Sequence, residues 1–148
     1  MAELTSFIDA FLTRVWVGND VSDLDREYQA NAALTGLEDM PLDGIDDFLR
    51  FHRMVQAQFR LLSYRTLASV ENGDWVSTFG EFIAADRQTG QRGTARVHMI
   101  LQVSRGQIVG GHVLLDYLGF FEQVGRLPAR TLDRCLLDSS GQWHTRRH

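Results

Sequence analysis

The sequence is short of cysteine, of positive charge and of long apolar runs, and each shortage argues against a class of protein. A single cysteine, Cys135, stands in 148 residues, which excludes an internal disulfide framework and an all-cysteine metal site. The formal net charge is −4, whereas nucleic acids and anionic membranes attract clustered positive charge. No stretch approaches the roughly 18–20 apolar residues that span a bilayer. We therefore expect neither nucleic acid nor membrane as a partner.

Two kinds of short motif are also missing. The first residues contain no basic segment followed by an apolar run, so we expect no signal peptide and a cytoplasmic location. The five histidines are scattered, and none has the spacing of an HExxH motif. We expect no metal site and no cofactor.

What is present has the balance of a globular protein. Hydrophobic residues make up 44% and charged residues 23% of the chain, and the length is usual for one domain. The sequence shows no repeat, low-complexity tract or linker. We expect a single domain over residues 1–128, and a C-terminal extension, residues 129–148, that packs on this domain or is partly disordered.

The hydrophobic period changes near Leu61. Before this point a spacing of three to four predicts helices over about 6–17, 21–28 and 43–59, with a short strand at 32–34 between the last two. After it a period of two predicts four strands, 64–70, 76–84, 94–103 and 108–115, and then a short helix, 118–124. Helices followed by a mostly antiparallel sheet indicate an α+β fold whose helices cover one face of the sheet.

The last two predicted strands meet at Arg105–Gly106, a two-residue loop that fixes their register. If Ser104 faces Gln107, three further opposed pairs follow, and directly opposed residues share a face of the sheet. These pairs are Met99 with His112, Val97 with Leu114, and Ala95 with Asp116. The face that carries them is almost wholly apolar, so we expect it to lie under the helices.

Two ionisable residues, His112 and Asp116, would then be enclosed in apolar surroundings. A buried carboxylate either gains a hydrogen bond or has a raised pKa, and both suit a group that transfers protons near neutral pH. Asp116 also stands just before a predicted helix and could simply cap it. A lone histidine on an apolar face, such as His112 or His52, is more often structural than catalytic.

The opposite face mixes polar and apolar residues. It is predicted to carry Arg96, His98 and Gln102 beside Ile100, Val109, Val113 and Leu115. A partly apolar exposed face predicts a homodimer.

The segment from Arg105 to Pro128 resembles the closing motif of the SnoaL-like polyketide cyclase family. In this motif a strand ends in aspartate, here Asp116, and a set of spaced residues follows it: Leu118, Gly119, Gln123, Gly125, Leu127 and Pro128. A looser resemblance extends back to Phe7. The resemblance as a whole implies an NTF2-like cone, in which a curved, mostly antiparallel sheet wraps around N-terminal helices and encloses an apolar pocket.

Characterised members of that family close a ring of a polyketide ester by intramolecular aldol condensation, without metal or organic cofactor. The resemblance therefore implies an acid/base enzyme acting on a hydrophobic polyketide-like or cyclic carbonyl substrate, with Asp116 as general acid/base and His112 beside it. The sequence departs from the family pattern at Gly110–Gly111, which suggests a bulge or a widened pocket floor. The expected substrate-binding residues are Trp16, Phe48, His52, Tyr64, Val97, Met99 and Leu114.

Three other functions share this architecture, since a fold does not decide a function. A dehydratase or isomerase could use His52, Tyr64, His112 and Asp116. A module that binds a small molecule or dimerises without catalysis needs Asp116 only as a cap. An epoxide hydrolase is disfavoured because it needs two carboxylates and an arginine around a water, whereas the inward positions hold Val97 and Met99.

Overall fold

The protein is described by a computed structural model over residues 2–137. The helices come mainly from the first part of the chain, and a π-helical turn, Thr13–Val17, continues the first of them. They are α1 (Glu3–Leu12), α2 (Leu24–Glu27), α3 (Ile45–Gln58), α4 (Tyr117–Gln123) and α5 (Thr131–Cys135). Among residues 2–137, no helix has both the length and the apolar composition needed to cross a bilayer.

Six strands form one open sheet in the order β2-β1-β6-β5-β4-β3. Neighbouring strands are antiparallel except β1 and β6, which are parallel. This arrangement confirms the predicted α+β fold and its mostly antiparallel sheet. The strands are β1 (Tyr28–Thr35), β2 (Leu42–Asp43), β3 (Phe59–Asn72), β4 (Trp75–Asp86), β5 (Arg92–Ser104) and β6 (Gln107–Leu115).

Strand β1 corrects the prediction of a helix over 21–28. The helix there has only four residues and ends at Glu27, because Tyr28 already pairs with Ile108 of β6. The side chain of Tyr28 is completely buried. Tertiary pairing and burial thus decide the state of a residue that local spacing assigns to a helix.

Strand β5 alternates as predicted. Val97, Met99 and Leu101 are buried under the helices, whereas His98 and Ile100 are exposed on the outer face. The inner face packs against α1, the π-helical turn and α3, whose buried residues include Ile8, Val15 and Phe48.

The register of the β5–β6 hairpin is correct only next to its turn. Ser104 pairs with Gln107 as predicted, but a bulge after Ile108 shifts every later pair by one residue. The predicted pairs of Met99 with His112, Val97 with Leu114, and Ala95 with Asp116 are therefore wrong. Instead Ile100 faces His112, His98 faces Leu114, Met99 faces Val113, and Val97 faces Leu115. A shift of one residue moves each side chain to the opposite face.

The extra residue of the bulge is Val109, since Val103 pairs with Ile108 and Gln102 with Gly110, and two glycines follow it directly. Gly110 and Gly111 both have a φ of 156°, a value that side chains disfavour and that glycine adopts freely. A Cβ atom on Gly111 would lie 2.3 Å from the carbonyl oxygen of Ile100. The pair Gly110–Gly111 thus directly follows the bulge, and the bulge exchanges the faces of the strand beyond it.

The predicted C-terminal extension is described as far as residue 137. Its helix α5 contacts α4, since the backbone N–H of Leu132 donates to Glu122 Oε2 at 2.7 Å. Residues 138–148 lie outside the described part of the chain. The boundary at residue 128 stays a prediction.

Candidate functional site: an apolar cavity between helices and sheet

The helices and the inner face of the sheet enclose a cavity of about 120 Å³. Its wall is built from α1, the π-helical turn, α3, α4 and the inward side chains of the sheet. Among the described residues, no aspartate, glutamate, arginine or histidine lines it. The polar side-chain atoms of the lining residues are the indole nitrogen of Trp16 and the hydroxyls of Tyr28 and Tyr117. Such a lining favours an apolar, uncharged ligand.

Four of the predicted substrate-binding residues lie in this wall: Trp16, Phe48, Val97 and Met99. Their apolar periodicity was sufficient to place them. That these four residues bind a substrate stays a prediction. The other three, His52, Tyr64 and Leu114, do not line the cavity.

Leu114 is 75% exposed on the outer face, so its predicted inward placement is wrong. The bulge is the reason, because it turns Val113 and Leu115 toward the cavity in place of Leu114.

The predicted enclosure of His112 and Asp116 is wrong for the same reason. His112 is exposed on the outer face, where its Nδ1 is hydrogen-bonded to the Thr35 hydroxyl at 2.6 Å. Asp116 is exposed and caps α4, since its Oδ1 accepts a hydrogen bond from the Gly119 N–H at 2.9 Å. Their catalytic roles stay predictions, and neither placement supports them.

His52 lies beside the cavity and forms a hydrogen bond that joins α3 to the π-helical turn. Its Nε2 donates to the carbonyl of Val15 at 2.8 Å, and Gln56 Nε2 donates to the carbonyl of Trp16 at 2.8 Å. Burial lowers the pKa of His52, which favours the neutral ring. These two bonds from α3 fix the π-helical turn, a type of turn that is frequent at functional sites. His52 and Gln56 therefore hold Trp16 in the cavity wall.

The mouth of the cavity is marked by lining residues that are only half-buried, including Leu37, Val55 and Phe121. The Tyr117 hydroxyl donates to the carbonyl of Leu37 at 2.6 Å and so joins α4 to the loop before β2. Burial and the nearby charge of Glu38 raise the pKa of Tyr117 to about 12, so this hydroxyl keeps its proton.

Tyr28 is one of the lining residues that sequence reasoning missed. Its side chain is inaccessible to solvent, and its hydroxyl has no hydrogen-bond partner among residues 2–137. The available signal was the alternation of Tyr28, Ala32 and Leu34, which are all buried along β1. The lack of a partner depends on distant parts of the chain and leaves no local trace.

The candidate residues for dehydratase or isomerase chemistry do not converge. His112 and Asp116 lie outside the cavity, and His52 and Tyr64 are not in its wall. Within residues 2–137, no three histidine, cysteine or carboxylate side chains are grouped to hold a metal ion.

Comparisons with solved structures identify the fold. A proposed isomerase from Rhodopseudomonas palustris has a TM-score of 0.72 at 16% identity over 86% of this chain and 99% of its own. IdmH, a proposed polyketide cyclase from Streptomyces antibioticus, has a TM-score of 0.70 at 19% identity, over 84% and 99%. A protein of ketosteroid isomerase-like fold from Catenulispora acidiphila, in complex with trimethylamine, has a TM-score of 0.70 at 13% identity, over 83% and 94%. These neighbours share the NTF2-like fold, which confirms the predicted architecture.

The comparison at the level of families is equally clear. No curated protein matches the sequence. The SnoaL-like domain matches residues 8–111, which is more than half of the chain. The match ends within the segment from Arg105 to Pro128, before Asp116. The chain is therefore a member of the SnoaL-like domain family.

Proposed function

We propose that the protein binds a neutral, hydrophobic small molecule in the cavity. The observation that carries this proposal is a cavity of about 120 Å³ whose described lining residues are apolar or aromatic and carry no charge. A charged ligand would lose its hydration there without gaining a partner, whereas an apolar ligand gains about 25 cal/mol for each Å² of surface removed from water.

Binding of a simple hydrocarbon tests this proposal. Saturation-transfer NMR with α-methylstyrene is expected to show transfer from the protein to the probe. An absence of transfer to this probe and to a ketone of the same shape would contradict the proposal.

Aldol-type cyclisation of a polyketide-like substrate is the second candidate. It is favoured by the family and by the likeness to IdmH, which is a proposed polyketide cyclase. That chemistry needs a base in reach of the substrate, and the carboxylate expected to serve is held at the N-terminus of α4. This capping position of Asp116 favours ligand binding without catalysis by Asp116 over the cyclisation.

Asp116→Ala is expected to lower the free energy of unfolding by about 1 kcal/mol, because it removes the cap of α4. Asp116→Asn keeps a capping oxygen and should change stability much less. Binding of α-methylstyrene should be the same in both variants and in the wild type. Urea unfolding and the NMR titration measure the two properties. Unchanged stability together with lost binding in both variants would instead favour a role for Asp116 in the site.

We also propose that the outer face of the sheet pairs two copies of the chain. An outer patch of Phe79, Ile100 and Leu114 is exposed there, and His98 and His112 lie between these side chains. Exposed apolar patches of this kind commonly mark protein interfaces.

Leu114→Arg is expected to convert a dimer into a monomer, because it places a charge in the outer patch at its most exposed residue. Leu132→Arg is a matched control, since Leu132 is also an exposed leucine but lies on α5. Sedimentation equilibrium should give the dimer mass for wild type and Leu132→Arg, and the monomer mass for Leu114→Arg. A monomeric wild type, or a dimer that survives Leu114→Arg, would contradict this interface.

A further inference from the structure

We infer that the Tyr28 hydroxyl is the polar anchor of the cavity, and that the ligand is a neutral molecule of about one ring that carries a hydrogen-bond acceptor such as a ketone oxygen. This inference rests on the proposed binding function and adds to it the chemical class of the ligand.

The first reason is the state of the hydroxyl itself. Tyr28 lies in β1 beside Ile108, its ring centroid is 4.8 Å from that of Phe48, and all three residues line the cavity. Of the cavity-lining residues in the described part of the chain, Tyr28 is the one with a buried polar side-chain atom that lacks a partner. Leaving such a group unpaired costs about 1–3 kcal/mol. An acceptor atom of a ligand removes this cost when it reaches the hydroxyl. This requires the side chains around the hydroxyl to move, because they leave its oxygen almost no accessible surface.

The second reason is that the other hydroxyl in the wall is already engaged. Tyr117 donates to the carbonyl of Leu37, so it gains little from a ligand. A ligand with one acceptor is therefore matched to the one unpaired hydroxyl.

The charge around the hydroxyl favours a neutral acceptor. Burial and the negative charge of Asp47 raise the pKa of Tyr28, so the group remains a donor. The same charge of Asp47 disfavours an anionic ligand oxygen at this position. A ketone oxygen accepts a hydrogen bond without bringing a charge into the cavity.

The size of the cavity limits the ligand to about one ring. An apolar cavity of about 150 Å³ in another protein stays dry and takes up benzene, and the cavity here measures about 120 Å³. A fused multi-ring molecule exceeds this space unless it extends through the mouth.

Acetophenone and α-methylstyrene test the anchor, since they differ only in a C=O group against a C=CH₂ group. Tyr28→Phe is expected to weaken acetophenone binding about tenfold, as the loss of one hydrogen bond does. The affinity of this variant for α-methylstyrene should stay within about twofold of that of the wild type. Its thermal midpoint should rise, because the unpaired hydroxyl is gone. Calorimetric titration measures both ligands.

Tyr117→Phe is the matched control, because it removes a hydroxyl from the same wall that is already bonded. It should change the affinity for both probes by the same factor. An equal response of both probes to Tyr28→Phe would overturn the anchor and leave the binding proposal intact. A wild type that binds neither probe would overturn the binding proposal itself.

A measurement on the unaltered protein does not depend on how the variants fold. The carbonyl ¹³C resonance of bound acetophenone should move downfield from its position in cyclohexane, because a hydrogen bond deshields this carbon. A bound resonance at the cyclohexane position would overturn the anchor.

Discussion

Ala84→Phe is expected to abolish binding of α-methylstyrene, with a loss of at least about 100-fold in affinity, equal to about 2.7 kcal/mol. Ala84 lies in the cavity wall and is 3% exposed. The added phenyl ring would occupy the space that a one-ring ligand needs. The same substitution fills an existing cavity, so the fold should tolerate it better than an insertion into a fully packed core.

Ala85→Phe is the matched control for this prediction. Ala85 is the next residue of β4, is half-buried, and pairs with Arg60 and Arg92 away from the cavity. Its affinity for α-methylstyrene should stay within about twofold of the wild type. Calorimetric titration of the two variants makes the comparison. Binding that survives Ala84→Phe, or that is lost equally in Ala85→Phe, would place the ligand outside the cavity.

Gly111→Ala is expected to lower the free energy of unfolding by about 2–4 kcal/mol. The new Cβ atom would lie 2.3 Å from the carbonyl oxygen of Ile100 and 2.9 Å from Leu101 Cα. Both atoms belong to the backbone of the neighbouring strand, so relief requires that β5 and β6 separate. Urea unfolding measures the loss.

Gly106→Ala separates this clash from backbone strain alone. Gly106 has a φ of 75°, but a Cβ atom there would meet nothing within 4 Å. Its cost should be about 1 kcal/mol, the penalty of a left-handed conformation. Equal losses in the two variants, or a harmless Gly111→Ala, would contradict the close packing of the bulge against β5.

Much of the fold could be predicted because its signals are local. The change of hydrophobic period near Leu61 separates helices from sheet, and Arg105–Gly106 fixes the first pair of the hairpin. The inward face of β5, with Val97 and Met99, also follows from alternation. These features depend on residues that are close in the sequence.

The site was only partly predictable because one bulge reverses a strand. Gly110–Gly111 indicates a bulge, but the sequence does not show on which side of it the predicted register holds. The predicted register holds at the turn. Beyond the glycines it is shifted by one residue, so the predicted face is wrong for His112, Leu114 and Asp116. The resemblance to cyclases therefore led to the right fold, while the enclosure predicted for Asp116 was wrong.

Tyr28 escaped prediction for a different reason. Its neighbours in sequence suit a helix, and its strand forms by parallel pairing with a segment 80 residues further along the chain, at Ile108. Its position depends on Phe48 of α3, which its ring contacts, and on Ile108 of β6, with which it pairs. Such a group is visible only when the whole fold is known.

Methyl NMR of the wild-type protein, titrated with α-methylstyrene, tests the central claim most directly. Val113 and Leu114 are neighbours on opposite faces of β6, and only Val113 lines the cavity. Binding in the cavity is expected to cause ring-current shifts at the methyl groups of Val113, Val97 and Leu101, and none at Leu114. Shifts at Leu114 with unchanged resonances at Val113 would contradict it.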